Sequence, residues 1–356
     1  MVGLWPFHSP KNDVKWSSQS NGLFLGKHGS VVSAGLIKSG MPQENCTLEI
    51  WLEPRRIESK GTVIGFYWPE ARIVPFAMRQ YQNGLVLERP TKNDAKGTAA
   101  VYVDKVFSHQ GPVLVTITAN RESTSIYADG VLLRKFMDFR LSRQDLSGRL
   151  VLGNSPVSPN TWLGQFRGLA IYDRELTSDE VSQHLTDWTN SEHPDVARNH
   201  GAAAFYSFNE GQGNVIHNQV KLATDLIIPE RFFVLHEQFL ERPWDEYRPG
   251  WRYWKNIGVN IVGFIPLGFF FCAHFSSLRN GNGAAAKTIA LGFMVSLTVE
   301  VLQAFLPTRD SGMTDVLTNT MGTAIGVVVF RYNCPSIFPA GRELRVEDSN
   351  ILAVPS

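Results

Sequence analysis

Between residues 300 and 322 the chain sets acids, amides and an arginine among apolar runs: Glu300-Val-Leu-Gln303-Ala-Phe-Leu-Pro307-Thr-Arg309-Asp310-Ser-Gly-Met-Thr-Asp315-Val-Leu-Thr-Asn319-Thr-Met-Gly322. An ionisable side chain at the centre of a bilayer costs about 2.5–3.5 kcal/mol on insertion scales, so groups kept there face a site rather than hydrocarbon. The C-terminal third therefore reads as a membrane module with a polar interior. Three segments, 256–275, 284–305 and 314–331, each approach the roughly 20 residues needed to cross about 30 Å of hydrocarbon. The third is short and polar at its start, as expected of a helix placed among neighbours.

Average composition conceals this division. The 356 residues are 43% hydrophobic with a formal net charge of +1, and the mean hydropathy is −0.12. The apolar spans crowd after residue 255, while the first two-thirds carries the Gly, Pro, Asn and Ser punctuation of a β-rich domain. Near-neutral charge without a long basic run argues against a nucleic-acid partner. Cys46, Cys272 and Cys334 are far apart and match neither a disulfide framework nor a zinc pattern, so isolated buried thiols are expected.

Short strands separated by turn signals fill residues 22–172, the pattern of an all-β sandwich. In Cys46-Thr-Leu-Glu-Ile-Trp-Leu-Glu-Pro54, Leu48, Ile50 and Leu52 alternate with Thr47, Glu49, Trp51 and Glu53. The alternation predicts a solvent-facing Glu49, Trp51, Glu53 row on an edge or half-exposed strand. Asp129-Gly130 between Thr124–Ala128 and Val131–Leu133 predicts a type I′ hairpin, because both central residues take positive φ. Thr177-Ser-Asp-Glu180 is a capping box, and Val181, Leu185 and Trp188 then recur at helical spacing, so a short helix closes the sandwich.

Gly22-Leu-Phe-Leu-Gly26, Cys46-Thr-Leu-Glu-Ile-Trp51, Ile126-Tyr-Ala-Asp-Gly130 and Phe166-Arg-Gly-Leu-Ala-Ile-Tyr-Asp-Arg-Glu-Leu176 together resemble the laminin-G-like, concanavalin-A-like jelly-roll family. The resemblance spans roughly residues 20–190 and implies binding of carbohydrates or protein partners; some relatives cleave glycans. Glu49-Ile-Trp51-Leu-Glu53 is similar to the paired-carboxylate strand of laminarinase-type glycoside hydrolases. Retaining chemistry needs two carboxyl groups about 5–5.5 Å apart. In that family an aspartate stands between the glutamates, and here it is Trp51, which leaves no group to separate their roles. Trp51, Trp68 and Trp162, with Tyr67, are candidate sugar-stacking platforms, although aromatics in sandwiches are more often core. Asp104, Asn120, Asp129 and Asn154 offer oxygens for calcium, but no continuous calcium motif is present, so no metal and no cofactor is predicted.

Ala204-Phe-Tyr-Ser-Phe-Asn-Glu-Gly-Gln-Gly213 resembles the opening strand of laminin-G-like repeats and reads as the last strand of the sandwich, since too little chain follows to build another core. From Arg231 to Trp244, Phe232, Leu235 and Phe239 share one helical face, which predicts a helix lying in the membrane interface or packed on the sandwich. Trp244, Tyr247, Trp251, Tyr253 and Trp254 then form an aromatic belt of the kind found at headgroup level.

Within the spans, Asn256 and Asn260 are one helical turn apart, as are Asp315 and Asn319, and Glu300 and Gln303 are three apart. Pro266, between Gly263 and Gly268, is expected to kink the first span and free carbonyls toward a polar cavity. Arg309 lies in a loop where it can bind a phosphate or pair with Asp315.

Asn260-Ile-Val-Gly-Phe-Ile-Pro266-Leu-Gly268, Glu300-x-x-Gln303 leading to Pro307-x-Arg309, and Asp315-x-x-x-Asn319-x-x-Gly322 resemble the VanZ-like family of bacterial membrane proteins, over residues 250–332. The family takes its name from reduced susceptibility to the glycopeptide teicoplanin, and its biochemical activity is not established. Relatives often carry an aspartate where this chain has Asn256. They usually have four spans, and Met1-Val-Gly-Leu-Trp-Pro-Phe7 resembles the end of the first, so the true start is expected upstream.

The expected organisation is a jelly-roll sandwich over 20–215, an amphipathic and aromatic juxtamembrane connector over 216–254, transmembrane helices over 255–332 and a polar tail over 333–356. Arg279 and Lys287 after the first span, with Arg331, Arg342 and Arg345 after the last, favour those ends in the cytoplasm; Arg242, Arg248, Arg252 and Lys255 argue the reverse. An envelope-facing binding fold places the sandwich outside the bacterial cytoplasmic membrane. The leading expectation is a non-enzymatic, multi-pass protein whose sandwich binds a glycan or envelope protein. Its polar pocket of Asn260, Glu300, Gln303, Arg309, Asp315 and Asn319 would engage lipids, a cell-wall precursor or a glycopeptide antibiotic. The alternative is an intramembrane enzyme or transporter of a lipid-linked substrate, with Glu300 or Asp315 as base and Arg309 holding an anionic group.

Overall fold

The computed structural model describes residues 9–17, 21–38, 44–91, 94–190, 201–220, 223–235, 239–247, 250–278, 283–304, 306 and 311–333. Met1–Phe7, Cys334, Arg248, Arg279, Pro307, Arg309 and the expected tail beyond 333 fall outside them. The chain divides into two compact units, the first residues 1–238 with 304–310 and the second residues 239–303 with 311–356.

The first unit is the predicted sandwich of two antiparallel sheets. One sheet runs in the order β1 (Val14–Trp16), β2 (Leu23–Leu25), β13 (Gly164–Tyr172), β4 (Cys46–Pro54), β9 (Val113–Ala119), β10 (Thr124–Ala128) and β11 (Val131–Phe136). β14 (Ala202–Tyr206) also pairs with β13, so only the start of the 204–213 segment is a strand of this sheet, and it is not the last strand of the sandwich, because short strands at 215–216 and 226–227 follow it. The other runs β15 (Val215–Ile216), β16 (Leu226–Ile227), β3 (Val31–Ser33), β12 (Arg149–Leu152), β5 (Ser59–Trp68), β6 (Ile73–Gln82), β7 (Gly84–Thr91) and β8 (Asp94–Val103).

Side chains that alternate inward from both sheets, among them Leu48, Ile50, Leu52, Phe66, Phe76, Met78, Ile117 and Phe166, form the core. Asp129 and Gly130 link β10 to β11 with φ of 47° and 75°, the two positive values a type I′ turn requires. Burial pushes the Cys46 thiol up to about 12, which keeps it protonated and unreactive.

Helix α1 (Ser178–Asn190) starts as its capping box dictates. The Thr177 amide donates to Glu180 Oε2 at 2.8 Å and the Glu180 amide to Thr177 Oγ1 at 3.3 Å. Val181 and Trp188 are buried in a second apolar cluster with Leu114, Ala170, Tyr172 and Phe205, on the face of the first sheet away from the main core. The expectation of a solvent-facing row therefore fails at Glu49, while Trp51 and Glu53 are half-buried. β4 lies between β13 and β9 and is covered on both faces, by the core and by α1, so Glu49 is fully buried.

The helix expected from Arg231 is also corrected. Arg231 pairs with Lys11 in an antiparallel bridge, the Phe232 amide donates to the Pro10 carbonyl at 3.0 Å, and the Phe232 ring is buried edge-on to His28. Residues 231–235 are not helical, because their backbone groups and apolar side chain are taken up by the sandwich. One helical turn, α2 (Pro243–Glu246), belongs to the second unit.

That second unit is built on α3 (Trp251–Ser277), α4 (Ala284–Gln303) and α5 (Met313–Asn333), all three long and apolar enough to cross a membrane. Val259, Val262, Phe270 and Val328 are each 60–68% exposed. Exposed apolar surface costs about 25 cal/mol per Å² in water, so such faces suit lipid. α3 continues through Pro266 without interruption and begins a turn earlier than expected, which brings Trp251, Tyr253 and Trp254 of the aromatic belt into its first turn.

Glycines set how closely these helices meet. A Cβ at Gly322 or Gly326 would collide with the carbonyls of Ile261 or Ile265, and one at Gly268 with that of Thr323, so α3 and α5 touch backbone to backbone. α4 turns the residues Ala284, Thr288, Gly292, Ser296 and Glu300 inward, small or polar at every fourth position.

Candidate functional site

The polar residues of the helical unit converge where α3 and α5 begin and α4 ends. Glu300, in the last turn of α4, is 2% exposed; its Oε2 accepts the Gly312 amide at 2.9 Å and its carbonyl accepts the Ser311 hydroxyl at 3.0 Å. Asn260 Nδ2, from α3, donates to Asp315 Oδ1 at 2.8 Å. One turn deeper, Asn319 Nδ2 donates to Ser296 Oγ at 2.9 Å, which ties α5 to the inward row of α4.

Asn260, Glu300, Asp315 and Asn319 thus come together as one polar seam. Gln303 lies at the end of α4, three residues beyond Glu300. Asn256, one turn before Asn260, is exposed and takes no part. Gly268 and Gly322 serve the helix contacts, while Pro266 is exposed on α3. Pro307 and Arg309 lie outside the described residues.

Several members were missed in the sequence. Ser296 had a usable signal, the four-residue repeat of small and polar positions that leads to Glu300. Glu246 had none. It reaches the seam because the Glu241 to Gly312 bridge lays residues 241–246 beside the start of α5, where Glu246 Oε1 lies 3.4 Å from the Thr314 amide.

Glu246, Glu300 and Asp315 are near enough for their charges to interact. Like charges gathered in a partly buried site repel one another more strongly than in water. A helix N-terminus returns only about 0.3–1 kcal/mol per anion, so the start of α5 offsets part of that repulsion.

In the sandwich the aromatic candidates separate. Trp162 is fully buried, 5.2 Å from the Phe166 ring centre, with Nε1 donating to Gln80 Oε1 at 2.6 Å. It is a core residue and no sugar can reach its ring. Tyr67 is likewise buried, whereas Trp51 and Trp68 are half-buried. Trp51 packs against Trp188 and lies beneath Arg167, which pairs with Glu53 at 2.6 Å.

Glu49 accepts hydrogen bonds from Tyr172 Oη at 3.1 Å, Trp188 Nε1 at 3.2 Å and Thr116 Oγ1 at 3.3 Å, and sits 3.0 Å from His184 Nδ1. Burial and the Glu49 carboxylate push the Tyr172 phenol far above its ordinary value, which keeps it a donor. A carboxylate so enclosed holds α1 to the sheet and has no route to a glycan.

Of the oxygens considered for calcium, Asn120 Oδ1 accepts from the Glu122 and Ser123 amides, Asp129 Oδ1 from the Leu114 amide and Asn154 Oδ1 from the Asn160 amide. Asp104 Oδ1 accepts from Tyr102 Oη. Among the described residues no group of three His, Cys, Asp or Glu side chains is placed to hold a metal ion.

Residues 202–337 match the VanZ/LLP1 family model, and residues 26–182 match that of the concanavalin A-like lectin/glucanases superfamily. The chain joins a concanavalin A-like sandwich to a VanZ-like membrane domain. The VanZ/LLP1 match begins at β14, within the sandwich, and contains the whole polar seam.

Solved structures similar to the chain include a protein of Bacteroides ovatus named as a candidate carbohydrate binder, at 13% identity and a TM-score of 0.40, covering 64% of this chain and 63% of that one. The receptor-binding domain of botulinum neurotoxin C/D mosaic serotype has 16% identity and a TM-score of 0.36, covering 49% of this chain and 45% of its own. The serotype D ligand-binding domain, in complex with N-acetylneuraminic acid, has 15% identity and a TM-score of 0.37, over 50% of this chain and 45% of its own. The chain spans less than half the length of these neurotoxin domains. Likeness at this level says nothing of what the sandwich binds. No curated protein matches the chain significantly.

Proposed function

We propose that the chain is a multi-pass binding protein of the bacterial cytoplasmic membrane. Its sandwich faces the envelope and takes a glycan or an envelope protein, and the seam of the VanZ-like domain holds the polar head of an amphiphile such as a lipid-linked cell-wall precursor. The observation that carries the reading is the burial of Glu300 and Asn319 between membrane helices. Charged and amide groups are expensive there, and packing alone would be served by apolar residues.

The test is binding of the detergent-purified chain to isolated cell-wall glycan and to lipid extracts, beside an Asp315→Ala variant. The reading predicts glycan retention by both proteins and loss of the co-purifying amphiphile in the variant alone. Failure of the intact chain to retain either class contradicts it. A link to glycopeptide susceptibility predicts a changed response on deleting the gene, and an unchanged response removes that part.

A further inference from the structure

Among the described residues the seam is rich in oxygen acceptors and poor in positive charge. Glu246, Glu300 and Asp315 meet around the first turn of α5, yet among the described residues no lysine, arginine or histidine forms an ion pair with any of them. Each carboxylate has a neutral donor: the Gly312 amide for Glu300, the Thr314 amide for Glu246 and Asn260 Nδ2 for Asp315. Neutral donors satisfy lone pairs without supplying any positive charge.

Two further oxygens point the same way. Asn319 and Thr314 are 6% and 7% exposed, and among the described residues neither Asn319 Oδ1 nor Thr314 Oγ1 has a hydrogen-bond partner. Asn319 stands one turn along α5 from Asp315, and its Nδ2 is fixed on Ser296, one turn along α4 from Glu300. Its Oδ1 is therefore buried within the seam, one helical turn from the Asp315 position. A buried acceptor without a donor is costly, so this oxygen is open to an N–H or O–H donor from a ligand.

We propose that the seam binds a primary ammonium group presented at the membrane interface, held by the Glu300 and Asp315 carboxylates and the Asn319 carbonyl oxygen. An ammonium offers three N–H donors and no acceptor, the complement of an all-oxygen pocket. The seam lies toward the end of the bundle where exposed Trp251 and Trp254 open α3, and such residues mark the headgroup level. An aminated lipid head and a free ammonium ion share this chemistry. The inference rests on the seam being a ligand site, as proposed above.

The test uses the full chain in nanodiscs, with native mass spectrometry and thermal unfolding as readouts. The probes are phosphatidylethanolamine, its N-acetylated form, phosphatidylglycerol and ammonium chloride. The expected result is at least tenfold stronger retention of phosphatidylethanolamine than of the N-acetylated lipid, lost in both Glu300→Gln and Asp315→Asn. Asn319→Leu, which adds no charge, is expected to weaken the same preference should a carboxylate variant fail to fold. Ammonium chloride that raises the melting temperature without retained lipid assigns the site to the free ion and supports the same chemistry. Equal retention of the N-acetylated lipid overturns the proposal, as does a preference for phosphatidylglycerol, which leaves the ligand-site reading intact. Absence of any bound probe overturns both. Ethanolamine-lipid binding that appears only in Arg309→Gln means the chain's own guanidinium fills the site, and this also overturns the proposal.

Discussion

Glu49 and His184 meet at 3.0 Å beneath helix α1 with both side chains fully buried. The carboxylate also accepts from Tyr172, Trp188 and Thr116, so it is the joint through which the helix is held on the sheet. Removing one partner of a buried charged network costs about 3–5 kcal/mol, because the others are left unpaired. Glu49→Ala is expected to destabilise the sandwich by that amount, and Glu49→Gln by less. Denaturant unfolding followed through tryptophan fluorescence checks this; a cost below 1 kcal/mol would place Glu49 at the surface.

Trp162 and Trp51 are expected to respond oppositely to truncation. Trp162→Ala removes a fully buried ring and should cost about 3–5 kcal/mol. It should act through folding, so that any glycan binding falls only with the folded fraction. Trp51→Ala, at a half-buried position, should cost less. Thermal unfolding alongside cell-wall pull-down separates the two effects, and a Trp162→Ala protein that stays fully stable contradicts the burial.

The start of α1 carries a pH dependence. Arg174, followed by the Thr177 hydrogen bonds, holds the Glu180 carboxyl down to about 2 against the partial opposition of burial. A carboxyl depressed on folding stabilises the fold above its ordinary value near 4.5, and loses that stabilisation as pH falls toward about 2. Melting temperature measured down this range should therefore fall more steeply for the unaltered chain than for Glu180→Gln. Identical slopes would contradict the depression of Glu180 by Arg174.

Close helix contact makes Gly322 sensitive and Gly263 tolerant. A Cβ at Gly322 meets the Ile261 carbonyl, while one at Gly263 has open space. Gly322→Val is expected to lower the melting temperature in detergent, whereas Gly263→Ala should hold or raise it through better helix propensity. The reverse order would mean that α3 and α5 pack through other faces.

Local rules made much of this chain legible. The Asp129-Gly130 turn and the Thr177 to Glu180 box act within a few residues, so tertiary structure had nothing to override. The membrane helices follow from length and apolar character alone. Alternation along β4 divided its side chains correctly but could not say what covers the second face, because α1 arrives from residues 178–190. Phe232, Leu235 and Phe239 have helical spacing, yet an isolated bridge to Lys11 and the Pro10 carbonyl take up the backbone at Arg231 and Phe232. Glu246 enters the seam only through the bridge of Glu241 to Gly312, a pairing remote in sequence and without any local mark.

The helical unit is expected to reside in a bilayer with its polar seam turned away from lipid. Alkaline carbonate washing of membranes that carry the full chain tests this most directly. The chain is expected to stay in the pellet and to enter solution only with detergent. Its recovery as a stable, detergent-free protein in the supernatant would contradict the account.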